Sequence, residues 1–263
     1  MRTCFFRASH LSPRASFTMI ALLAAVPEET ALIREALQES AQQSINGINL
    51  ITGKLFCHDI CLTHSGIGKS AAAATATTLL HHCRPEALWL LGCGGAYPGS
   101  GLTIGDLALA SREIFGDEGV ATNKGFSDLA EMKLPMRRDA EVFFNTWPVD
   151  QKLHDWAQSE LAEYTKGSGT SLRSGPFVSV STCTGTMTMA IELESRTSGI
   201  CENMEGAAVA LVCRQMSVPL LEVRGISNLV EDRDTSRWNL PVGMNAAQNA
   251  VMALLQAWSG QSS

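Results

Sequence analysis

No apolar run in the sequence approaches the roughly 18–20 residues that a membrane-spanning helix requires, so we expect a soluble, cytoplasmic protein. Positive charge is also scarce. Lysine and arginine number 20 against 26 acidic residues, a formal net charge of −6, whereas a general binder of nucleic acid or anionic membrane would need a basic face. Cysteine is present but never as a C-x-x-C pair. Cys4, Cys57, Cys61, Cys83, Cys93, Cys183, Cys201 and Cys213 are scattered, several inside apolar segments, which favours reduced, buried thiols over a disulfide framework. The six histidines include no H-E-x-x-H, and the adjacent His81 and His82 diverge on a helix, so neither a metal site nor a cofactor is expected.

What the chain does have is apolar material. Hydrophobic residues make up 45% of 263, ample for the core of one α/β domain or two small ones. Residues 1–18 stand apart, with three arginines, no acid and no amphipathic period. We expect them to be a disordered extension, either a transit peptide or residues upstream of the true start, with a single domain over 19–263 opening at Met19.

From there, apolar runs alternate with helical patterns. Residues 19–26 read as a buried strand, and 28–40 as a helix with Leu32, Ile33, Ala36 and Leu37 on one face. Two strands are expected around a tight turn at Gly53-Lys54. An alanine-rich helix over 69–83 should pack closely on a sheet. Strands follow at 86–95 and 105–114, and 113–150 looks irregular and polar. A helix is expected at 151–165, a strand at 175–182, a helix at 204–216, a strand at 218–227 and a closing helix at 241–258. No repeat or linker interrupts this order, and one domain with a mixed, twisted sheet accounts for it.

Two glycine-rich stretches invite a nucleotide reading. Gly68-Lys69-Ser70 has the tail of a phosphate loop, but Thr63 stands where that loop needs its first glycine. "GCGGAYPGSG" opens like a dinucleotide fingerprint, yet Tyr97 takes the third glycine's place and Pro98 forbids a following helix. Both read as strand-to-loop turns with backbone amides near a ligand. Glu205 begins an otherwise apolar helix, where it could merely complement the helix dipole. Its apolar flanks suggest instead a buried carboxylate that a ligand's hydroxyls would satisfy. Glu28 and Glu29 sit in another first helical turn, and "VSVSTCTGT" ends a strand in small hydroxylated residues. The run "EVRGISNLVEDRD" brings Arg224, Ser227 and Asn228 to the end of a strand, where Asn228 could simply cap a turn.

Taken together, "SGIGKSAAAATATTLLHHCRP", "GCGG", "NMEGAAVALVC" and "VRGISN" resemble, in order, the nucleoside phosphorylases and nucleosidases. The chain is similar to the methylthioadenosine/S-adenosylhomocysteine nucleosidases over about residues 19–258. Through "GGAYPGSGLTIGD", "FGDEGV" and "RGISNLVEDRDTSRWNL" it resembles most the futalosine hydrolase branch. The resemblance implies a three-layer α/β sandwich, a central twisted mixed sheet flanked by helices, assembled as a homodimer. It implies hydrolysis of a purine N-glycosidic bond, in futalosine releasing hypoxanthine in menaquinone biosynthesis.

By the same resemblance Glu29, with Glu28 as the alternative, would orient the attacking water. Met204 would pack on the ribose, Glu205 would hold its hydroxyls, and Arg224 would help place the water and Glu205. The glycine loop corresponds to Cys93, Gly94 and Gly95, and the wall of the base to Cys183 and Thr184. Adenine-releasing relatives carry Asp where this chain has Asn228. An amide can donate to a 6-oxo group and accept from N-7, so Asn228 implies a 6-oxopurine. The arginines that phosphorylases bring to phosphate are missing from "AAVPEET" and "LWLL", and two carboxylates there would repel a dianion. Tyr97, Phe115, Arg233 and Trp238 are candidates for the 5′-substituent pocket. A broader purine nucleosidase, a phosphorylase and a non-catalytic nucleoside-binding protein are the alternatives.

Overall fold

The computed structural model describes residues 19–138 and 141–259; the expectation for residues 1–18 lies outside them. Fourteen strands are named here in chain order: β1 Met19–Ala24, β2 Gln38–Ile45, β3 Ile48–Leu55, β4 His58–His64, β5 Ala87–Ala96, β6 Leu107–Phe115, β7 Gly119–Thr122, β8 Gly125–Asp128, β9 Arg137–Arg138, β10 Val142–Phe143, β11 Thr146–Pro148, β12 Leu172–Ser179, β13 Cys201–Asn203 and β14 Leu220–Leu229. The helices are α1 Ala31–Ala36, α2 Lys69–Cys83, α3 Gln151–Tyr164, α4 Met187–Thr197, α5 Gly206–Met216 and α6 Leu240–Ala257.

The main sheet runs β11-β6-β12-β13-β5-β1-β4-β3-β2, with β14 paired to both β5 and β6. At its centre β14, β5, β1 and β4 are parallel, while β13 meets β5 antiparallel, so the sheet is mixed. Strand residues alternate between its faces. Ile20, Leu22, Trp89 and Leu91 pack with Ile33, Leu153, Ala157, Val251 and Leu254 of α1, α3 and α6. Ala21, Leu23, Leu88 and Leu90 pack with Ala72, Ala76, Leu79 and Val209 of α2 and α5. Side chains buried on both faces are what a parallel sheet inside a sandwich requires, and the three expected layers are present. The alanines of α2 let it approach α5 and the sheet. No helix among the described residues is long and apolar enough to cross a membrane, and the seven described cysteines are free thiols.

Three local expectations need correction. The helix expected over 28–40 is a 3-10 turn, Pro27–Thr30, followed by the short α1, after which the chain extends into β2. Residues Gln38 to Ser44 are exposed and offer no apolar face to bury, so pairing with β3 satisfies their backbone instead. The turn expected at Gly53-Lys54 lies at Phe56 and Cys57, because β3 runs through Gly53. A Cβ at Gly53 would stand 2.9 Å from the carbonyl oxygen of Gln38, so glycine there serves a close strand approach rather than a turn. Finally, α4 and β13 lie where no element was expected, and residues 113–150 carry two short ladders, β7–β8 and β9–β10, as well as β11.

Candidate active site

The parallel strands β1, β5 and β14 end on one side of the sheet, the edge at which open α/β sheets take ligands. A cavity of about 330 Å³ opens there. All ten positions singled out from the sequence line it: Glu29 after β1; Cys93, Gly94 and Gly95 on β5; Cys183 and Thr184 beyond β12; Met204 and Glu205 between β13 and α5; Arg224 and Asn228 on β14. Glu28 does not; it is exposed, whereas Glu29 is 3% exposed.

The turn after β1 folds Glu29 back onto its own backbone. Its Oε2 accepts from the N–H of Ala25 at 2.9 Å and of Val26 at 3.3 Å, and its Oε1 accepts from the N–H of Cys93 at 2.9 Å. A carboxylate offers about four acceptor positions, so one remains. A Cβ at Gly92 would stand 2.5 Å from Glu29 Oε1 and 2.9 Å from Arg224 Nη1; glycine is what lets these two side chains cross the strand. Burial and the Glu29 charge push the Cys93 thiol up to about 12, which leaves it neutral and unsuited to nucleophilic attack.

Arg224 is 2% exposed and surrounded by acids. Its Nε donates to Glu222 Oε1 at 2.9 Å, its Nη1 donates to the carbonyl of Cys93 at 3.2 Å, and its Nη2 stands 3.5 Å from Glu205 Oε2. Burial works to lower its pKa, but Glu222, Glu205 and Glu29 outweigh it and raise the value. Nη2 has no hydrogen-bond partner among the described residues and lies on a residue that lines the cavity.

Glu205 precedes α5 and is 4% exposed. Its Oε1 accepts from the N–H of Gly68 at 3.0 Å, so "SGIGKS" serves the site with a backbone amide. Lys69 turns away to Asp117 and Glu118, in accord with the missing phosphate-loop glycine. Met204 meets Cys183 sulfur to sulfur at 3.3 Å. Asn228 accepts from the Ser227 hydroxyl at 2.8 Å and donates to the carbonyl of Leu229 at 3.1 Å. One N–H and one carbonyl lone pair of its amide remain for a ligand. Gly95 lies beside it: a Cβ there would stand 3.1 Å from Asn228 Nδ2 and 2.8 Å from Val230 Cγ2.

Of the four aromatic and cationic candidates for the 5′ end, Arg233 and Trp238 line the cavity, the guanidinium 4.6 Å from the indole ring. Tyr97 and Phe115 are buried and do not line it. The loop bearing Arg233 is tied across the cavity: Arg233 N donates to the Gly185 carbonyl at 3.1 Å, and Met187 N to Asp232 at 2.9 Å.

Several acids escaped the sequence reading. Glu202 lines the cavity. Behind it, Glu113 and Glu222 are fully buried side by side. A Cβ at Gly206 would touch both, at 2.0 Å and 2.6 Å. Burial and the neighbouring charge raise the pKa of Glu113 well above the glutamate range, and burial raises that of Glu222. Of the two, Glu222 is the one that faces Arg224.

Solved structures share this arrangement of chain. A 5′-methylthioadenosine/S-adenosylhomocysteine nucleosidase from Neisseria meningitidis in complex with methylthio-immucillin-A aligns at a TM-score of 0.80 and 19% identity, over 92% of this chain and 100% of its own. An S-adenosylhomocysteine nucleosidase from Streptococcus pyogenes in complex with 5-methylthiotubericidin aligns at 0.80 and 20%, over 93% and 98%. The futalosine hydrolase of Helicobacter pylori aligns at 0.78 and 20%, over 92% and 98%. A sequence profile of the phosphorylase superfamily matches residues 19–256, nearly the whole of the sandwich that carries the site. This chain belongs to the phosphorylase superfamily.

Proposed function

We propose that this protein hydrolyses the N-glycosidic bond of a 6-oxopurine nucleoside, with futalosine as the substrate and hypoxanthine as the released base, residues 19–263 acting as one nucleosidase domain. The observation that carries this reading is the side chain at position 228. An amide at the end of β14 can donate to a 6-oxo group, and it has one N–H left to do so. Against a 6-amino group the same N–H meets another donor, a mismatch of about 1–3 kcal/mol, or roughly ten- to a hundredfold.

In this scheme a water molecule sits between Glu29 and Arg224, donating to the free acceptor position of the carboxylate. As the bond between C1′ and the base nitrogen breaks, the ribosyl group takes on oxocarbenium character. Glu29 and Glu205 lie where they offset that charge, with Glu205 also accepting from the ribose hydroxyls. The water oxygen adds to C1′, its proton passes to Glu29, and the bonding pair departs with the base. Asn228 meets the charge delocalised onto the oxo group. Being an amide, it takes no part as an acid.

Hydrolysis is favoured over phosphorolysis by the charge of the site. Two carboxylates face the position of the nucleophile, and the cation beside them, Arg224, is held by Glu222 and Glu205. The Arg233–Trp238 pair supplies the aromatic wall and cation that a benzoate-bearing tail would want. We also expect two copies to assemble as a homodimer, which light scattering reads directly.

The test is incubation of the purified protein with futalosine, inosine and methylthioadenosine in phosphate-free buffer, with free base followed by chromatography. Hypoxanthine release ahead of adenine, without added phosphate, is the expected result. Faster adenine release rules the reading out, and a requirement for phosphate turns it towards a phosphorylase.

A further inference from the structure

Gly95 has a neighbour on each side in the sheet. In the pairing of β5 with β14 it lies opposite Asn228, and in the pairing of β5 with β13 it lies opposite Glu202. Residues in one row across a sheet point to the same face, and two strand spacings separate the outer pair by about 10 Å. The row therefore reads acid, bare glycine floor, amide, and all three residues line the cavity.

Glu202 is firmly held. The Tyr97 hydroxyl donates to its Oε2 at 2.9 Å, the Thr184 hydroxyl to the same oxygen at 2.6 Å, and the Thr184 N–H to Oε1 at 3.0 Å. Those three donors leave one acceptor position, on Oε1. Among the described residues no cation forms an ion pair with the carboxylate, and burial raises its pKa despite the three hydrogen bonds. An acid kept in a ligand cavity at such a desolvation cost needs a donor from the ligand.

We infer that Glu202 is a second base-reading residue, accepting the ring N1–H of a 6-oxopurine whose oxo group faces Asn228. The inference rests on the 6-oxopurine reading of the site and deepens it. A 6-oxopurine carries a donor at N1 beside the acceptor at position six, and a 6-aminopurine carries the reverse. Glu202 and Asn228 present the complement of the first pattern, so adenine would set a ring lone pair against a carboxylate as well as an amino group against an amide.

Free bases test this without depending on the 5′ substituent. Hypoxanthine, 1-methylhypoxanthine and adenine are titrated calorimetrically into the wild-type protein and the Glu202→Gln variant. The wild type should bind hypoxanthine at least tenfold more tightly than 1-methylhypoxanthine, which lacks the N1 donor. Glu202→Gln should weaken hypoxanthine about tenfold, since a neutral acceptor replaces a charged one, and should narrow the gap to the methylated base. A residue that only anchored Thr184 and Tyr97 would leave that gap untouched. Equal binding of hypoxanthine and 1-methylhypoxanthine by the wild type, which needs no variant, overturns the role of Glu202 while leaving Asn228 its own. Preference for adenine over hypoxanthine overturns the 6-oxopurine reading and this inference with it.

Discussion

Glu29 accepts the backbone N–H of Cys93 at 2.9 Å, across the end of strand β5. That bond joins the acid of the first turn to the glycine-rich strand on which the base would lie. It fixes one carboxylate oxygen, while Ala25 and Val26 fix the other, so the last acceptor position points in a set direction rather than wandering with the side-chain rotamer.

Replacing the acid with an amide tests that preorganisation. Glu29→Gln should lower kcat by about 10²–10⁴-fold, the range for loss of a positioned general base, while nucleoside affinity by calorimetry changes only a few-fold. Unaltered turnover would remove Glu29 from the mechanism. Nucleoside binding without turnover in the wild type would favour a binding protein.

The bare floor at Gly95 makes a steric prediction. An added methyl would press on Val230 and Asn228, and overpacking of this kind costs about 1–3 kcal/mol. Gly95→Ala should therefore lower the unfolding midpoint modestly. It should weaken binding of free hypoxanthine at least tenfold, because the methyl occupies the plane of the base. Binding at wild-type strength would place the base elsewhere in the cavity.

The buried pair Glu113–Glu222 links stability to pH. Burial and the charge of Glu222 hold the pKa of Glu113 above its unfolded value, so the folded protein retains a proton that the unfolded chain releases. Stability is then fully present below the ordinary glutamate range and is lost as pH rises from there towards the folded value. Glu113→Gln mimics the protonated form, and its stability relative to wild type should climb across that window in urea unfolding at a series of pH values. Glu222→Gln should instead cost about 3 kcal/mol by removing the buried partner of Arg224. Parallel pH curves for wild type and Glu113→Gln would contradict a raised pKa at Glu113.

Much of this architecture was legible because it follows from continuous apolar runs. Strands β1, β5 and β14, each buried on both faces, and helices α2, α3, α5 and α6 can be read locally. Strand β2 cannot, since the exposed Gln38 to Ser44 segment owes its conformation to a partner, β3, that comes later in the chain. The ten site positions stand out in the sequence because they sit towards the ends of strands or in the turns that follow them, in recognisable runs. Glu202 does not. It lies in the three-residue β13, and only the pairing with β5 brings it level with Gly95. Its one local signal is an acid preceded by Ile200 and Cys201, whose burial a single sequence does not reveal. Glu113 and Glu222 were hidden for the same reason, each a lone acid in a strand pattern whose partner lies about a hundred residues away.

The most direct measurement is the ratio of kcat/KM for matched 6-oxo and 6-amino nucleosides in wild type and in Asn228→Asp. An aspartic acid can donate at N-7 while accepting from an amino group, so the ratio should fall by roughly ten- to a hundredfold in the variant, with the 6-amino compound gaining. An unchanged ratio, or a variant that becomes still more selective for the 6-oxo nucleoside, would contradict the assignment of Asn228 as the residue that reads the base.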